Sequence, residues 1–174
     1  HPRQLASAKP DGERILTWTQ LYNLTELPEH IIVVGSGVTG AEFASAYRAL
    51  GSEVTLVSSR DTVLPGNDAD AAQLLEQVFR NNGINVMNKT RAEKVVNTGN
   101  GVEVTLADGR VIQGSHCLMA VGAIPNTAGL GLEEAGVVLT TKWGDLKSAN
   151  QQTLIQLLTR YTLEIKGKTT FKEE

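Results

Sequence analysis

The sequence has few of the residues on which several classes of protein depend. It contains a single cysteine, Cys117, among 174 residues, so it has no internal disulfide framework and no Cys-x-x-Cys redox pair. Cys117 lies in an apolar stretch, which indicates a small buried side chain rather than a reactive thiol. The three histidines are scattered and form no recognisable pair with a carboxylate or a thiol. We therefore predict no catalytic residue and no metal site in this chain.

Charge and hydrophobic patterning exclude further classes. The formal net charge is −3, and no run of basic residues predicts contact with nucleic acid or with an anionic membrane surface. No apolar run approaches the length of a membrane span, and the N-terminus lacks a basic segment followed by an apolar core. The hydrophobic content of 41% is ordinary for a globular domain. The sequence thus predicts a soluble, cytoplasmic protein without a nucleic-acid or membrane partner.

One stretch combines apolar residues and glycines in an informative order. The four consecutive β-branched residues 31–34 predict a strand that is buried on both faces. Gly35, Gly37 and Gly40 follow at the G-x-G-x-x-G spacing, and a helix is predicted over residues 38–50. Gly35 allows a sharp turn out of the strand, and Gly37 leaves room for a pyrophosphate against the backbone. Gly40 lets the helix pack close to the strand.

A second predicted strand, over residues 53–57, closes a βαβ unit of the expected length. We expect the pyrophosphate of a dinucleotide to lie at the N-terminus of the helix, where N–H groups have no partner within the helix. The loop residues Ser36, Val38 and Thr39 then join the glycines in the cofactor site. The alternative is a tightly packed strand–turn–helix unit that binds no ligand.

The choice between NAD and NADP depends on the end of the second strand. An acidic residue there would accept a hydrogen bond from the ribose 2′-hydroxyl of NAD, but this sequence has Ser58, Ser59 and Arg60. Without a carboxylate nothing repels a 2′-phosphate, and the hydroxyls and the guanidinium are suitable donors for one. The sequence favours NADP on this argument. The alternative is that Arg60 is a solvated loop residue and the site accepts either nucleotide.

The hydrophobic pattern of the remaining chain predicts an α/β fold. We expect a helix over 15–27 that ends before Pro28, and a third parallel strand over 84–87. A further helix is expected from Asp68 to Asn82, with an apolar face made of Leu74, Leu75, Val78 and Phe79. Alternating segments separated by turn signals predict an antiparallel meander, at 92–98, 101–106 and 110–113.

An apolar strand over 117–121 ends at Gly122, and ligands bind at the carboxyl ends of strands in open α/β sheets. Val121 and Gly122 are therefore expected in the cofactor site. The predicted fold is a Rossmann-like, three-layer NAD(P)-binding domain with a parallel sheet and an antiparallel β-meander.

The domain organisation follows from these patterns. Residues 1–14 read as an extended leading segment, residues 15–140 as the NAD(P)-binding domain, and residues 141–174 as a tail that matches no pattern. A short helix is predicted over 130–139. In the tail we predict a helix after Ser148 and a strand over 161–165. A chain that starts without methionine is expected to be part of a longer protein.

Several motifs in order resemble the NAD(P)-binding domain of the pyridine nucleotide-disulfide oxidoreductase family. They are the stretch 31–42, Asp108-Gly109, the strand ending at Val121, and Gly122-Ala123-Ile124-Pro125-Asn126. This family of two-dinucleotide flavoproteins includes dihydrolipoamide dehydrogenase and glutathione reductase. The resemblance covers about residues 15–140 and is closest to an actinobacterial branch of dihydrolipoamide dehydrogenase-like NAD(P)H quinone reductases.

The resemblance implies a function for the whole protein. NAD(P)H would bind across the three glycines and pass a hydride to FAD in a separate domain, and from there to a quinone or to a disulfide such as lipoamide. Glu42 matches a family glutamate near the nicotinamide, and Gly122 matches a glycine that lets the cofactor lie close to the sheet. The resemblance also implies the FAD domain of the parent protein as a partner, and a homodimeric parent.

The sequence departs from the family at several points. Ala123 replaces an arginine that is usual in this loop, and the FAD fingerprint, the redox cysteine pair and the family's continuation after Thr140 are not found. We therefore expect FAD only in the full-length protein, and a chain that binds nucleotide but is inactive alone. The alternatives are a nucleotide-sensing Rossmann module without catalysis, or a folded remnant whose tail covers or disorders the site.

Overall fold

The computed structural model describes residues 1–137. The chain divides into two units between Asn126 and Thr127, and the described sheets and helices belong to the first unit. The helix predicted after Ser148 and the strand predicted over 161–165 lie outside the described residues, as does the end of the helix predicted over 130–139. Among residues 1–137 no helix is long and apolar enough to cross a membrane.

A parallel sheet of five strands forms the centre of the first unit. Its strands are β1 (Ile15–Leu16), β2 (His30–Val34), β3 (Glu53–Val57), β4 (Asn85–Met87) and β8 (His116–Met119). They lie in the order β1-β8-β2-β3-β4, and every pairing is parallel. β2 is therefore a central strand with β8 on one side and β3 on the other.

Three helices and a second sheet complete the unit. The helices are α1 (Trp18–Leu21), α2 (Val38–Leu50) and α3 (Ala69–Asn81). The second sheet is antiparallel and consists of β5 (Ala92–Asn97), β6 (Val102–Leu106) and β7 (Val111–Gly114), with an irregularity between Ala92 and Lys94. The predicted meander and the predicted βαβ unit are confirmed, with boundaries that differ by at most one residue.

The central sheet is buried on both faces. Ile31 and Val33 of β2 pack with residues of α2 and α3 in one cluster, whereas Ile32 and Val34 pack with residues of β5 and β6 in the other. Because successive side chains of a strand point to opposite faces, a strand between two layers needs an uninterrupted apolar run. The layers are helices, parallel sheet and antiparallel sheet, which confirms the predicted fold class.

The prediction of a helix over 15–27 is wrong at both ends, since the helix observed there is α1 (Trp18–Leu21). Ile15 and Leu16 form strand β1, paired in parallel with Cys117 and Leu118 of β8. The helix that follows is only four residues long, and the side chain of Thr17 caps it in a reciprocal pair with Gln20. Both apolar residues of β1 are buried, one on each face of the sheet, and this burial outweighs the weak helical spacing downstream.

The predicted apolar face of α3 is partly wrong. Phe79 is buried and Leu75 is half-buried, but Leu74 and Val78 are 63% and 42% exposed. The buried face instead runs through Ala72, Leu75 and Phe79, at the i, i+3, i+7 spacing of one helix stripe. Leu74 and Val78 lie one residue out of that register and face solvent.

The helix predicted over 130–139 is absent from the part of it that is described. Residues 131–137 form turns, with one α-helical (i→i+4) hydrogen bond from the Ala135 N–H to the Gly131 carbonyl at 3.1 Å. The N–H groups of Gly136 and Val137 donate to the Glu133 and Leu132 carbonyls, at 3.0 and 2.8 Å, in the bonding pattern that closes a turn rather than extending an α-helix. Gly131 and Gly136 have φ values of +66° and +73°, in the left-handed region, so a right-handed helix cannot continue through either position.

Candidate functional site

The carboxyl ends of β2, β3 and β8 meet at one edge of the central sheet, because these strands are parallel neighbours. The chain leaves β2 through α2 towards β3, while β8 lies on the other side, so the end of β2 is a topological switch point of the sheet. A cleft of about 600 Å³ opens there. Its walls also include Arg3 and Leu5 of the leading segment, and Thr90 and Arg91 of residues 88–91, which connect β4 to β5.

The three glycines of the motif have different surroundings. Gly35 has a φ of +110°, and a Cβ there would overlap the carbonyl oxygen of Ala120. Gly40 is buried in the first turn of α2, where a Cβ would overlap the carbonyl oxygen of Gly35. Gly37 is the N-cap of α2, and nothing lies within 4 Å of the position that its Cβ would occupy. Gly35 and Gly40 thus permit the fold, whereas Gly37 presents bare backbone to the cleft.

The structure brings together most of the residues predicted for the cofactor site. Those that line the cleft are Gly35, Ser36, Gly37, Val38, Thr39, Ser58, Ser59, Arg60, Val121 and Gly122. Gly40 does not line it, because it packs beneath the glycine loop. Glu42 is exposed on α2 and lies outside the cleft wall.

Ser58 has a structural contact that the sequence did not reveal. Its side chain is buried, and its Oγ lies 2.6 Å from the Oγ of Ser36 in the glycine loop. The backbone N–H of Arg60 donates to the same Ser58 Oγ at 3.1 Å. The Ser58 hydroxyl therefore joins the glycine loop to the end of β3, and Ser59 and Arg60 are the exposed polar residues at this position.

Sequence reasoning missed two arginines of the cleft. Arg3 comes from the leading segment, where its backbone N–H donates to the Gly122 carbonyl at 3.0 Å, and Arg91 comes from the β4–β5 connection. Neither position had a local signal, because each reaches the cleft through contacts with residues distant in sequence. With Arg60, three arginines line the cleft, and its described lining includes no carboxylate. The cleft suits a polyanionic ligand.

Glu76 of α3 holds the chain segments that follow β3 and β4. Its carboxylate oxygens accept from Asn88 Nδ2 at 2.7 and 2.8 Å, and from the Val63 N–H at 3.4 Å. Arg80 donates to the same carboxylate at 2.8 Å. Burial alone would raise the pKa of Glu76, but the hydrogen bonds from Arg80, Asn88 and Val63 outweigh it and hold the pKa below the ordinary value. The ionised carboxylate therefore ties α3 to the segments after β3 and β4.

Cys117 is fully buried in β8, as predicted, and burial raises the pKa of its thiol. Its side chain packs between the two sheets and does not line the cleft. The thiol is therefore protonated at neutral pH and has a packing role.

Thr90, on the cleft wall, has a buried hydroxyl oxygen for which the described residues provide no hydrogen-bond partner. An unpaired buried polar group is costly, so we expect Thr90→Val to leave the free energy of unfolding unchanged or to raise it by up to about 1 kcal/mol. Urea denaturation of the ligand-free chain measures this change.

Thr55→Val is the matched control for Thr90→Val. Thr55 is also buried, but its Oγ1 lies 3.0 Å from Nε2 of His30. The same exchange there should lower the free energy of unfolding by about 1 kcal/mol, because it leaves a half-buried imidazole nitrogen without its partner. Equal losses at both positions would show that the Thr90 hydroxyl has a partner in solution.

Comparison with known proteins gives the chain a family context. Residues 3–154 match the family described as pyridine nucleotide-disulphide oxidoreductase. Over 138 residues the chain is 59% identical to an NAD(P)H dehydrogenase (quinone) from Mycobacterium tuberculosis, with 79% of this chain and 28% of the relative covered. It is 32% identical over 141 residues to a dihydrolipoyl dehydrogenase from Zymomonas mobilis, with 79% and 30% covered.

Solved structures similar to this chain include that of a flavoprotein disulfide reductase. The crystal structure of LpdA from Mycobacterium tuberculosis matches with a TM-score of 0.73 and 59% identity, over 80% of this chain and 30% of that one. The HOCl-induced flavoprotein disulfide reductase RclA from Escherichia coli matches with a TM-score of 0.67 and 30% identity, over 81% and 32%. The chain thus spans about a third or less of the length of the relatives it matches.

Proposed function

Because the chain belongs to the pyridine nucleotide-disulphide oxidoreductase family, whose members here are NAD(P)H-dependent flavin oxidoreductases, we propose that its cleft holds the NAD(P)H of the parent enzyme. The observation that carries the proposal is the space over Gly37 at the N-terminus of α2. A backbone without a side chain, a helix N-terminus without a side-chain cap and three arginines together fit a dinucleotide pyrophosphate.

Each part of the cleft has a role in this proposal. The N-terminus of α2 binds the pyrophosphate over Gly37, and the exposed Gly122, with a φ of +102° and open space around it, lets the nucleotide pass close to the end of β8. Arg3 is held beside it by the hydrogen bond to the Gly122 carbonyl. When bound, the nicotinamide supplies a hydride, and the family implies FAD as its acceptor. The role of Glu42 near the nicotinamide remains a prediction.

The cofactor of this proposal is NADPH rather than NADH. Three arginines and no carboxylate line the described cleft, so a 2′-phosphate meets only favourable charge. The Ser58 hydroxyl is already hydrogen-bonded to the Ser36 hydroxyl. Arg60 is therefore the main group at the end of β3 that can bind the 2′-phosphate.

The acceptor beyond FAD in this proposal is a quinone. The M. tuberculosis relative with this activity in its name is 59% identical to the chain, whereas the dihydrolipoyl dehydrogenase of Z. mobilis is 32% identical. The FAD domain of the parent is the direct partner. The homodimeric parent and the cytoplasmic location remain predictions.

Titration of the 174-residue chain with NADPH and NADH tests the proposal. We expect both nucleotides to bind, with NADPH tighter, in a preparation that has no flavin absorbance and does not oxidise NADPH in the presence of a quinone. Isothermal titration calorimetry measures the two affinities. Absorbance at the flavin band shows whether flavin is bound, and the decrease in absorbance at the nicotinamide band measures NADPH oxidation. Failure to bind either nucleotide would contradict the proposed site, and a yellow preparation that oxidises NADPH would contradict the need for a separate FAD domain.

A further inference from the structure

We infer that Arg91 determines cofactor selectivity, by completing with Arg60 a two-arginine site for the 2′-phosphate of NADPH. This inference rests on the proposed function of the cleft and goes beyond it. It adds to the site a residue from the β4–β5 connection, a segment outside the βαβ unit in which the nucleotide motif lies.

The backbone places the β4–β5 connection directly beside the end of β3. The Thr90 N–H donates to the Ser58 carbonyl at 3.0 Å, and the Lys89 N–H donates to the Arg60 carbonyl at 2.9 Å. Lys89 has a φ of +54°, a left-handed conformation that is unusual for a side chain of this size and turns the chain at this point. Residues 58–60 and 89–91 therefore run side by side at the position that discriminates NAD from NADP.

The position of Arg91 is held from the other side as well. Its carbonyl accepts from the Ala107 N–H at 2.8 Å, which attaches it to the antiparallel sheet just before β5 begins. Asn88, in the same connection, is tied to Glu76 of α3. The main chain on both sides of Arg91 is thus fixed, while its side chain is exposed and lines the cleft.

The charges around this position favour a dianion. Arg60 and Arg91 both line the cleft, and neither forms an ion pair with a described residue. The neighbouring carboxylate, Asp61, has its own cation, because Lys89 Nζ lies 3.8 Å from Asp61 Oδ1. Two guanidinium groups that share a cleft repel each other, and a phosphate between them removes that repulsion through charge-assisted hydrogen bonds. A 2′-hydroxyl carries no charge and gains little from either arginine.

The experiment measures dissociation constants of the full chain for NADPH and NADH in Arg91→Ala, Arg60→Ala and the double variant. We expect Arg91→Ala to weaken NADPH binding by about 10-fold and to change NADH binding by less than about 2-fold. If both arginines contact one phosphate, the losses in the double variant will not be the product of the single losses. Arg110→Ala is the control, because Arg110 is an exposed arginine in the turn between β6 and β7 that pairs with Asp108 at 2.6 Å and does not line the cleft.

The affinities for adenosine 2′,5′-bisphosphate and for 5′-AMP show which part of the nucleotide Arg91 contacts, because only the first compound carries a 2′-phosphate. Arg91→Ala should weaken the bisphosphate and leave 5′-AMP unchanged. If Arg91→Ala weakens the binding of NADPH and NADH equally, Arg91 contacts the pyrophosphate. If Arg91→Ala changes neither affinity, Arg91 lies outside the site. Either result overturns the inference and leaves the proposed function standing. Failure of the unsubstituted chain to bind any of these nucleotides is the separate result that refutes the proposed function.

Discussion

Gly35→Ala is expected to lower the free energy of unfolding by about 3 kcal/mol or more, a large part of the stability of a domain of this size. Two costs combine at this position. The φ of +110° is unfavourable for any residue with a Cβ, and the added Cβ would overlap the Ala120 carbonyl oxygen at the end of β8. That carbonyl belongs to the backbone, so it moves only if the central strands separate. Urea denaturation followed by far-UV circular dichroism measures the loss.

Gly51→Ala separates the two costs. Gly51 ends α2 with a φ of +109°, almost the value at Gly35, but nothing lies within 4 Å of its Cβ position. The conformational cost alone should amount to about 1–2 kcal/mol there. Gly40→Ala isolates the second cost, since its added Cβ would overlap the Gly35 carbonyl without a positive φ. Equal losses for Gly35→Ala and Gly51→Ala would contradict the close approach of the glycine loop to β8.

Gly37→Ala is expected to keep the fold and to weaken binding of both NADPH and NADH by about 10-fold or more. Its φ of −68° is allowed for alanine, and the space around the new Cβ is empty in the ligand-free protein. The methyl group instead occupies the place proposed for the pyrophosphate at the N-terminus of α2. Calorimetric titration with each nucleotide measures the affinity, and the exchange at an N-cap should cost less than about 1 kcal/mol of stability.

The pattern across the three motif glycines is the discriminating result. Gly35→Ala and Gly40→Ala should lose stability, whereas Gly37→Ala should lose affinity with its urea midpoint nearly unchanged. Gly37→Ala obstructs the place proposed for the pyrophosphate, which NADPH and NADH share. It should therefore leave the ratio of their affinities unaltered. A Gly37→Ala chain that binds both nucleotides as tightly as the unsubstituted chain would refute the proposed pyrophosphate position.

The parts of the fold that the sequence predicts are those that depend on local patterns. The β-branched run at 31–34, the glycine spacing and the hairpin turns each express a constraint on a few neighbouring residues, and the three-layer fold and the family are confirmed. The parts it misses depend on partners far along the chain. Ile15 lies in strand β1 because it pairs with Cys117 of β8, which comes about a hundred residues later in the chain.

The candidate site shows the same division. The glycine loop and the end of β3 are adjacent to strands that the sequence identifies, so residues such as Gly37 and Arg60 are predictable. Arg91 is not, because its place in the cleft depends on the hydrogen bonds between residues 89–90 and 58–60. The face of α3 is misassigned for a related reason, since Leu74 and Leu75 are equally apolar and only packing against the sheet decides between them.

The hydroxyl pair of Ser36 and Ser58 restricts how this protein can change its cofactor during evolution. An acidic residue at position 58 is the direct route to an NAD site, but this side chain is only 1% exposed and its oxygen lies 2.6 Å from Ser36 Oγ. A carboxylate placed there alone would be a buried charge beside the glycine loop, with a cost in stability. If the cleft binds NADPH as proposed, a change to NADH through an acidic residue at position 58 requires a change at position 36 as well, whereas substitutions on the exposed rim of the cleft meet no such barrier.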